Sequence, residues 1–126
     1  MSGRLLNGPG CAAMSAVDAE GQWMASLDAG AKARFLASLS HELTIVGRGA
    51  AYEVGTDGLT RPELLRHVNE IQHRVSACLS QLLEGQGNQS FERSIANWVL
   101  EAPDRELRRW TSQAWQDAKA HVQRAT

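Results

Sequence analysis

The sequence contains four histidines, and their side chains are the ones best suited to chemistry near neutral pH. They are His41, His67, His73 and His121. An imidazole transfers protons, binds metal ions and accepts phosphoryl groups, because its ring nitrogens change protonation state in this pH range. A metal site needs at least three such ligands converging on one point. One hypothesis for this chain is therefore a metal-binding helical bundle that uses some of these histidines.

His41 stands beside a carboxylate, in a context that indicates phosphoryl transfer. The segment 35–44 reads Phe-Leu-Ala-Ser-Leu-Ser-His-Glu-Leu-Thr, so Glu42 directly follows His41. The segment resembles the H-box of sensor histidine kinases. The resemblance implies an exposed His41 that accepts a phosphoryl group while Glu42 orients its ring. Ile45 and Val46 stand where that family usually has a proline. The other interpretation is an exposed helical histidine beside a solvated glutamate.

A second group of polar residues lies between residues 67 and 74. Glu70 precedes Arg74 by four residues, which is the favourable order for an ion pair on a helix surface. Glu70 and His73 also have the Glu-x-x-His spacing of di-iron helical bundles. That site requires a second copy of the motif and two further inward glutamates, which the sequence does not supply. We therefore interpret these residues as a helix surface and predict no di-iron centre.

The bulk composition narrows the function classes. The chain has 126 residues, of which 43% are hydrophobic and 21% charged, and a formal net charge of -1. The arginines are scattered among acidic residues, so neither a nucleic-acid groove nor a polybasic membrane patch is predicted. The apolar run Leu5-Leu6 is too short for a membrane span. We expect no cofactor, no nucleic-acid partner and no membrane partner.

The cysteines and the N-terminal segment indicate compartment and domain organisation. Cys11 and Cys78 are too few for a disulfide framework and do not form a metal motif. Cys78 falls on an apolar helical face, so we expect a buried thiol in a reduced, cytoplasmic protein. Residues 1–23 are predicted to be a flexible leader, and residues 24–126 a single helical-bundle domain.

Apolar residues at spacings of three and four predict an all-α fold, a compact bundle of about four helices. The first helix is expected from about Asp28 to about Val54, with Asp28 or Ser26 as its cap. Gly47 and Gly49 leave open whether its second half is broken. The other helices are expected at about 60–84 with a Thr60-Arg61-Pro62-Glu63 capping box, at 90–101 with Ser90 as cap, and at 104–123 with Asp104 as cap.

Three tryptophans crowd the last third of the chain. Trp98 and Trp110 fit the apolar stripes of the last two predicted helices, so we expect them in the core. Trp115 lies at the flank of its stripe and is the better candidate for an interface. His121 is expected on the apolar face of the same helix, either as a core histidine or as a metal ligand.

The first two predicted helices carry a recognisable polar pattern. It consists of Glu42-Leu43-Thr44, Gly47-Arg48, Tyr52-Glu53 and the run Asn69–Val75. The pattern resembles small uncharacterised helical-bundle proteins from bacteria, over roughly residues 32–100. The resemblance implies a helical-bundle fold and a bacterial cytosol. It also singles out one group of polar residues: Arg48, Tyr52, Asn69, Glu70, His73 and Arg74.

The leading functional hypothesis is a non-catalytic binding or regulatory bundle that acts through protein–protein contacts. Its partner is a second protein or a second copy of the chain, as in a homodimer. The contact surface is expected to include Trp115 and the six polar residues named above. Two alternatives stay open, a phosphotransfer module that uses His41 with Glu42, and the metal-binding bundle that uses the histidines.

Overall fold

The computed structural model describes residues 15–50 and 61–125, which form five helices and no strand. The helices are α1 (Ala16–Ser26), α2 (Ala29–Ala50), α3 (Arg61–Leu83), α4 (Gln89–Leu100) and α5 (Arg105–Ala125). The prediction of an all-α fold is confirmed for these residues, whereas the predicted count of four falls short by one helix. None of the described helices has the length and apolar content that a membrane crossing requires.

α1 is the additional helix, and it begins inside the segment 1–23 that was expected to be a flexible leader. Ser15 caps it, because its Oγ accepts a hydrogen bond of 3.0 Å from the amide three residues later. Gly21 and Met24 are buried, so one face of this short helix belongs to the core. Residues 1–14 lie outside the described part of the chain.

A glycine allows α1 to lie directly against α4. A Cβ atom at Gly21 would lie 3.0 Å from the carbonyl oxygen of Arg93 and 3.6 Å from the Cβ of Ala96. Contacts at 3.0 Å between a Cβ atom and backbone are too close for ordinary packing. The two backbones therefore approach so closely here that a side chain at position 21 would require them to shift apart.

α2 runs without a break through Gly47 and Gly49 to Ala50, so the glycines do not interrupt it. A Cβ atom at Gly47 would lie 3.5 Å from Val68 of α3, which is an ordinary van der Waals distance. Gly47 is therefore not required for the approach of α3. The predicted end of this helix at Val54 lies outside the described residues.

The structure shows which of the predicted N-cap residues cap their helices. Asp28 and Asp104 each accept a hydrogen bond from the amide three residues later, at 2.8 and 3.0 Å, which confirms both predicted caps. The prediction of Ser90 as the cap of α4 is wrong, because Asn88 makes the equivalent bond at 3.0 Å. Asparagine caps helices about as well as serine, and Asn88 comes first along the chain. The predicted Thr60 cap lies outside the described residues.

α3 ends where a glycine adopts a backbone conformation that other residues avoid. Gly85 has φ of +75°. The amide of Gln86 donates to the carbonyl of Gln81 at 2.8 Å, and that of Gly85 to Leu82 at 3.1 Å. These are the two hydrogen bonds of a Schellman motif, so the chain turns sharply toward α4.

The core forms around α2, which packs against α3 on one side and α5 on the other. The predicted apolar stripes supply most of it. Its buried side chains include Phe35, Leu36, Leu39 and Leu43 of α2, Leu64, Val68, Ile71, Val75 and Cys78 of α3, and Leu107, Ala114, Trp115, Ala118 and Val122 of α5.

Candidate functional site

The outward face of α3 brings together four of the six polar residues that the sequence singled out. Asn69, Glu70, His73 and Arg74 are exposed and follow one another at helical spacing. They share one open groove with half-buried apolar side chains, which give it a partly apolar floor. This groove, named here the α3 surface, is lined by Pro62, Leu65, Arg66, Asn69, Glu70, His73, Arg74 and Ala77 of α3 and by Phe91 of α4.

An aromatic ring restrains Arg74, one of the two arginines of the α3 surface. The guanidinium carbon of Arg74 lies 3.8 Å from the centroid of the Trp98 ring, which is a cation–π contact. Trp98 packs against the core but is only half-buried, so its outer side is available to the arginine. Because this contact already restrains the Arg74 side chain, the side chain has less conformational entropy left to lose in a further contact.

The charges of the α3 surface are arranged differently from the predicted ion pair between Glu70 and Arg74. Glu70 Oε1 lies 3.6 Å from Nδ1 of His67, one turn earlier on the helix. Arg74 instead lies over an aromatic ring. With Arg66 and Arg74 against Glu70, the surface has a positive balance.

Two further predicted surface residues lie at the end of α2 or beyond it. Arg48 is exposed in the last turn of α2. Tyr52 lies outside the described residues, so its position relative to the α3 surface stays a prediction.

The prediction of Trp115 as an interface residue is wrong, because its side chain is 0% exposed. Its Nε1 donates a hydrogen bond of 2.8 Å to Glu20 of α1. Its ring packs edge-on against Phe35 and Trp23, with centroid distances of 4.8 and 6.5 Å. α1 therefore covers the flank of α5 that the sequence, read without this helix, left open to solvent.

The structure does not bring the four histidines together as metal ligands. His41, His73 and His121 are exposed, and His67 is partly buried. Over residues 15–50 and 61–125, no three His, Cys, Asp or Glu side chains are grouped so that they would hold a metal ion. The expectation that His121 lies on the apolar face is wrong, because it follows Asp117 by four residues on an open flank of α5.

A second groove, which the sequence analysis missed, lies between α2 and α5. Ile45 and Trp110 contribute apolar surface to it, and Ile45 is 48% exposed. One indication of this groove was present in the sequence: Ile45 falls beside the apolar stripe of α2. A projection of one helix cannot predict a groove, because it does not show which helix packs next to Ile45. This α2–α5 groove is lined by Glu42, Ile45, Val46 and Gly49 of α2 and by Glu106, Arg109, Trp110, Gln113, Ala114 and Asp117 of α5.

A buried ion pair joins α2 to α4, and no pattern in the sequence predicted it. Lys32 Nζ lies 2.9 Å from Glu92 Oε1, and both residues are buried. Cys78, the buried thiol expected from the sequence, lies in the same region. Burial, together with the negative charge of Glu92, raises the pKa of the Cys78 thiol to about 11. The thiol is therefore protonated at neutral pH, and a protonated buried thiol is a poor nucleophile.

No family model, no curated protein and no solved structure matches this chain.

Proposed function

We propose that this chain is a non-catalytic helical bundle that binds a protein partner, or a second copy of itself, through the α3 surface. The observation that supports this is the joint position of Asn69, Glu70, His73 and Arg74 in one groove with half-buried Leu65. Interfaces combine an apolar centre with a polar rim, and this surface has both parts.

The contacts of Arg74 favour a role in recognition. Arginine and tryptophan are enriched among residues that dominate binding energy, and here the two are stacked on each other at 3.8 Å. A carboxylate of a partner would form charge-assisted hydrogen bonds with the guanidinium while the Trp98 ring keeps it oriented. The positive balance of the surface favours a partner that presents acidic residues around an apolar side chain.

Binding through Arg74 can be tested with the full chain. The tagged protein is incubated with lysate of the organism of origin, and retained proteins are quantified by mass spectrometry for wild type and for Arg74→Glu. Sedimentation velocity of the purified chain detects self-association. We expect a retained protein, or a dimer, whose amount falls at least tenfold in Arg74→Glu.

Two further variants make this result specific. Arg124→Glu applies the same charge change to an exposed position on α5, and it is expected to bind as wild type does. Asn69→Ala removes a neighbouring polar group and leaves the contact between Arg74 and Trp98 intact. Circular dichroism verifies the fold of each variant. Equal retention and equal self-association by wild type, Arg74→Glu and Asn69→Ala would contradict the proposal.

The compartment belongs to the same proposal. We infer a bacterial cytosol; the free thiol of Cys78 supports the cytosol, since reduced cysteines are the rule there, and the bacterial origin is implied by the sequence resemblance alone.

A second candidate function, histidine phosphotransfer, is supported by the exposure of His41 on α2. An exposed ring nitrogen attacks phosphorus directly, and the adjacent Glu42 orients the ring. With phosphoramidate as reagent, a bond forms between a ring nitrogen of His41 and phosphorus, and the nitrogen–phosphorus bond of phosphoramidate breaks. The leaving nitrogen takes up the imidazole proton and departs as ammonia.

Labelling by phosphoramidate separates this candidate from simple exposure. His121 is also exposed and serves as the matched control. We expect acid-labile phosphate that is absent in His41→Gln and retained in His121→Gln. Equal labelling of the peptides that contain the two histidines would mean that exposure alone governs the reaction, and it would remove the candidate.

A further inference from the structure

The α2–α5 groove presents apolar surface that the rest of the described chain leaves uncovered. Ile45 is 48% exposed, and in the described part of the chain Leu83 is the one other large hydrophobic residue that is exposed. Val46 and Trp110 beside it are half-buried, and Ala114 closes the floor. An apolar side chain placed here would gain burial against all four residues.

The rim of the α2–α5 groove is acidic. Glu42, Glu106 and Asp117 supply three carboxylates, and Arg109 supplies the single guanidinium among the lining residues that are described. Arg109 is hydrogen-bonded to Glu106, so its charge is already engaged within the rim. The groove therefore has the opposite charge balance to the α3 surface and favours cationic groups.

The length of the groove defines the size of its occupant. Along α5 it extends from Glu106 to Asp117, which is about 16 Å at the rise of an α-helix. About three helical turns span this distance. A helix lying in the groove would place two or three apolar anchors, at i, i+3 or i+4 and i+7, over Ile45 and Trp110.

We propose that the α2–α5 groove is a docking site for a basic amphipathic helix of a partner protein. Apolar side chains on one face of that helix occupy the floor around Ile45 and Trp110. Lysines or arginines that flank this face pair with the carboxylates of Glu42 and Asp117. The apolar contacts supply most of the affinity, and the charges select a basic partner.

This site is separate from the α3 surface. α3 packs on the side of α2 that carries Ser40 and Thr44, where the Gln72 amide donates hydrogen bonds of 3.1 and 2.6 Å. α5 packs on the other side, so the two grooves are formed by different helix faces. The proposal for the α2–α5 groove does not depend on whether the α3 surface binds a partner, because Arg74 contributes to neither the floor nor the rim of the α2–α5 groove.

A pair of designed peptides tests the occupant. The probe is a fluorescent helical peptide of roughly 14 residues, with leucines at i, i+3, i+4 and i+7 and lysines on both flanks. Its twin carries glutamates in place of the lysines. Fluorescence anisotropy with the full chain is expected to show at least tenfold tighter binding of the basic peptide. The difference is expected to shrink as salt rises, because these charges are exposed.

Variants of the chain locate the binding. Ile45→Asp and the charge reversal Glu42→Lys are each expected to weaken the basic peptide at least fivefold. Leu83→Asp is the matched control for the first, because Leu83 is 71% exposed at the end of α3. Glu84→Lys is the control for the second, and both controls are expected to bind as wild type does. If Ile45→Asp alters folding, peptide binding by Glu42→Lys still tests whether the peptide occupies this groove.

Three results would overturn the proposal. Equal binding of the basic and acidic peptides would remove the charge selection. Unchanged binding in Ile45→Asp and Glu42→Lys would move the peptide to another surface. A wild-type dimer that becomes monomeric in Ile45→Asp would assign the groove to a second copy of the chain instead. Arg74→Glu is expected to leave peptide binding unchanged, so this experiment and the test of the α3 surface fail independently.

Discussion

The ion pair between Lys32 and Glu92 provides the sharpest test of how α2 and α4 are held together. Lys32→Met keeps an apolar stem of similar size but removes the ammonium group 2.9 Å from the carboxylate of Glu92. The Glu92 side chain is only 3% exposed, so its charge is left buried without that partner. Breaking a buried pair in this way costs about 3–5 kcal/mol of unfolding free energy.

Removing the carboxylate instead of the ammonium group is expected to cost less unfolding free energy. In Glu92→Gln the ammonium group loses its partner, but the Lys32 side chain is 11% exposed and its flexible stem can carry the charge toward water. We expect a loss of about 2 kcal/mol, below the range for a charge that stays fully buried. The double variant Lys32→Met/Glu92→Leu replaces both charges by apolar groups and is expected to fall within about 1 kcal/mol of wild type.

Urea unfolding followed by circular dichroism measures these differences. A loss of 3 kcal/mol corresponds to a fall in Tm of roughly 10–20 °C for a chain of this size. Arg109→Met breaks the exposed pair with Glu106 and serves as control, with little change expected. The reasoning is refuted if Lys32→Met unfolds at the wild-type urea concentration. It is equally refuted if the double variant loses the sum of the losses in Lys32→Met and in Glu92→Leu alone, since additive losses mean no coupling.

Three smaller predictions follow from the backbone and the core. Gly21→Ala is expected to lower the unfolding free energy by about 1–2 kcal/mol, because its Cβ meets a carbonyl oxygen of α4 at 3.0 Å. Gly49→Ala, with no atom within 4 Å of its Cβ, is expected to raise it by up to about 1 kcal/mol; equal signs for the two variants would contradict the packing argument. Asn88→Ala is expected to cost about 1 kcal/mol and Ser90→Ala much less, as measured by thermal unfolding, and the opposite order would return the cap to Ser90. The pKa of Cys78 is raised from 9.0 to about 11 in the folded chain. Between pH 9 and 11 the thiol therefore ionises more readily in the unfolded chain, so the stability contributed by the neutral thiol is complete below pH 9 and is lost as pH rises toward 11. Wild type should therefore lose stability more steeply than Cys78→Ala between pH 9 and 11, and parallel curves would show that the thiol does not contribute.

Local patterns in the sequence predicted the longer helices because those helices carry complete apolar stripes. The stripe from Leu64 to Cys78 and the caps at Asp28 and Asp104 all appear in the structure as expected. α1 was missed because it is only 11 residues long and one of its core positions is Gly21, which has no apolar side chain to reveal the pattern. A helix of that length depends on packing, and packing is not visible in a local pattern.

The candidate surfaces were predictable only where a single helix carries them. Asn69, Glu70, His73 and Arg74 share the outer face of α3, so their spacing alone brought them together. The α2–α5 groove joins two helices that are separated by α3 and α4 in the chain, and its existence depends on how those helices pack. Trp115 was predicted to be an interface residue for the same reason, since the helix that covers it lies some 95 residues earlier.

The contact between α1 and α4 has a consequence for biosynthesis. Gly21 and its neighbour Arg93 are 72 residues apart in the sequence, so α1 is synthesised well before the helix against which it packs. At a translation rate of about 5–20 residues per second, roughly 4–14 seconds separate the two residues at the ribosome. During this interval the Met24 side of α1 has no α4 to cover it. The first described helix to be made therefore cannot complete its packing until α4 has been synthesised, and its hydrogen bond to the buried indole of Trp115 requires α5 as well.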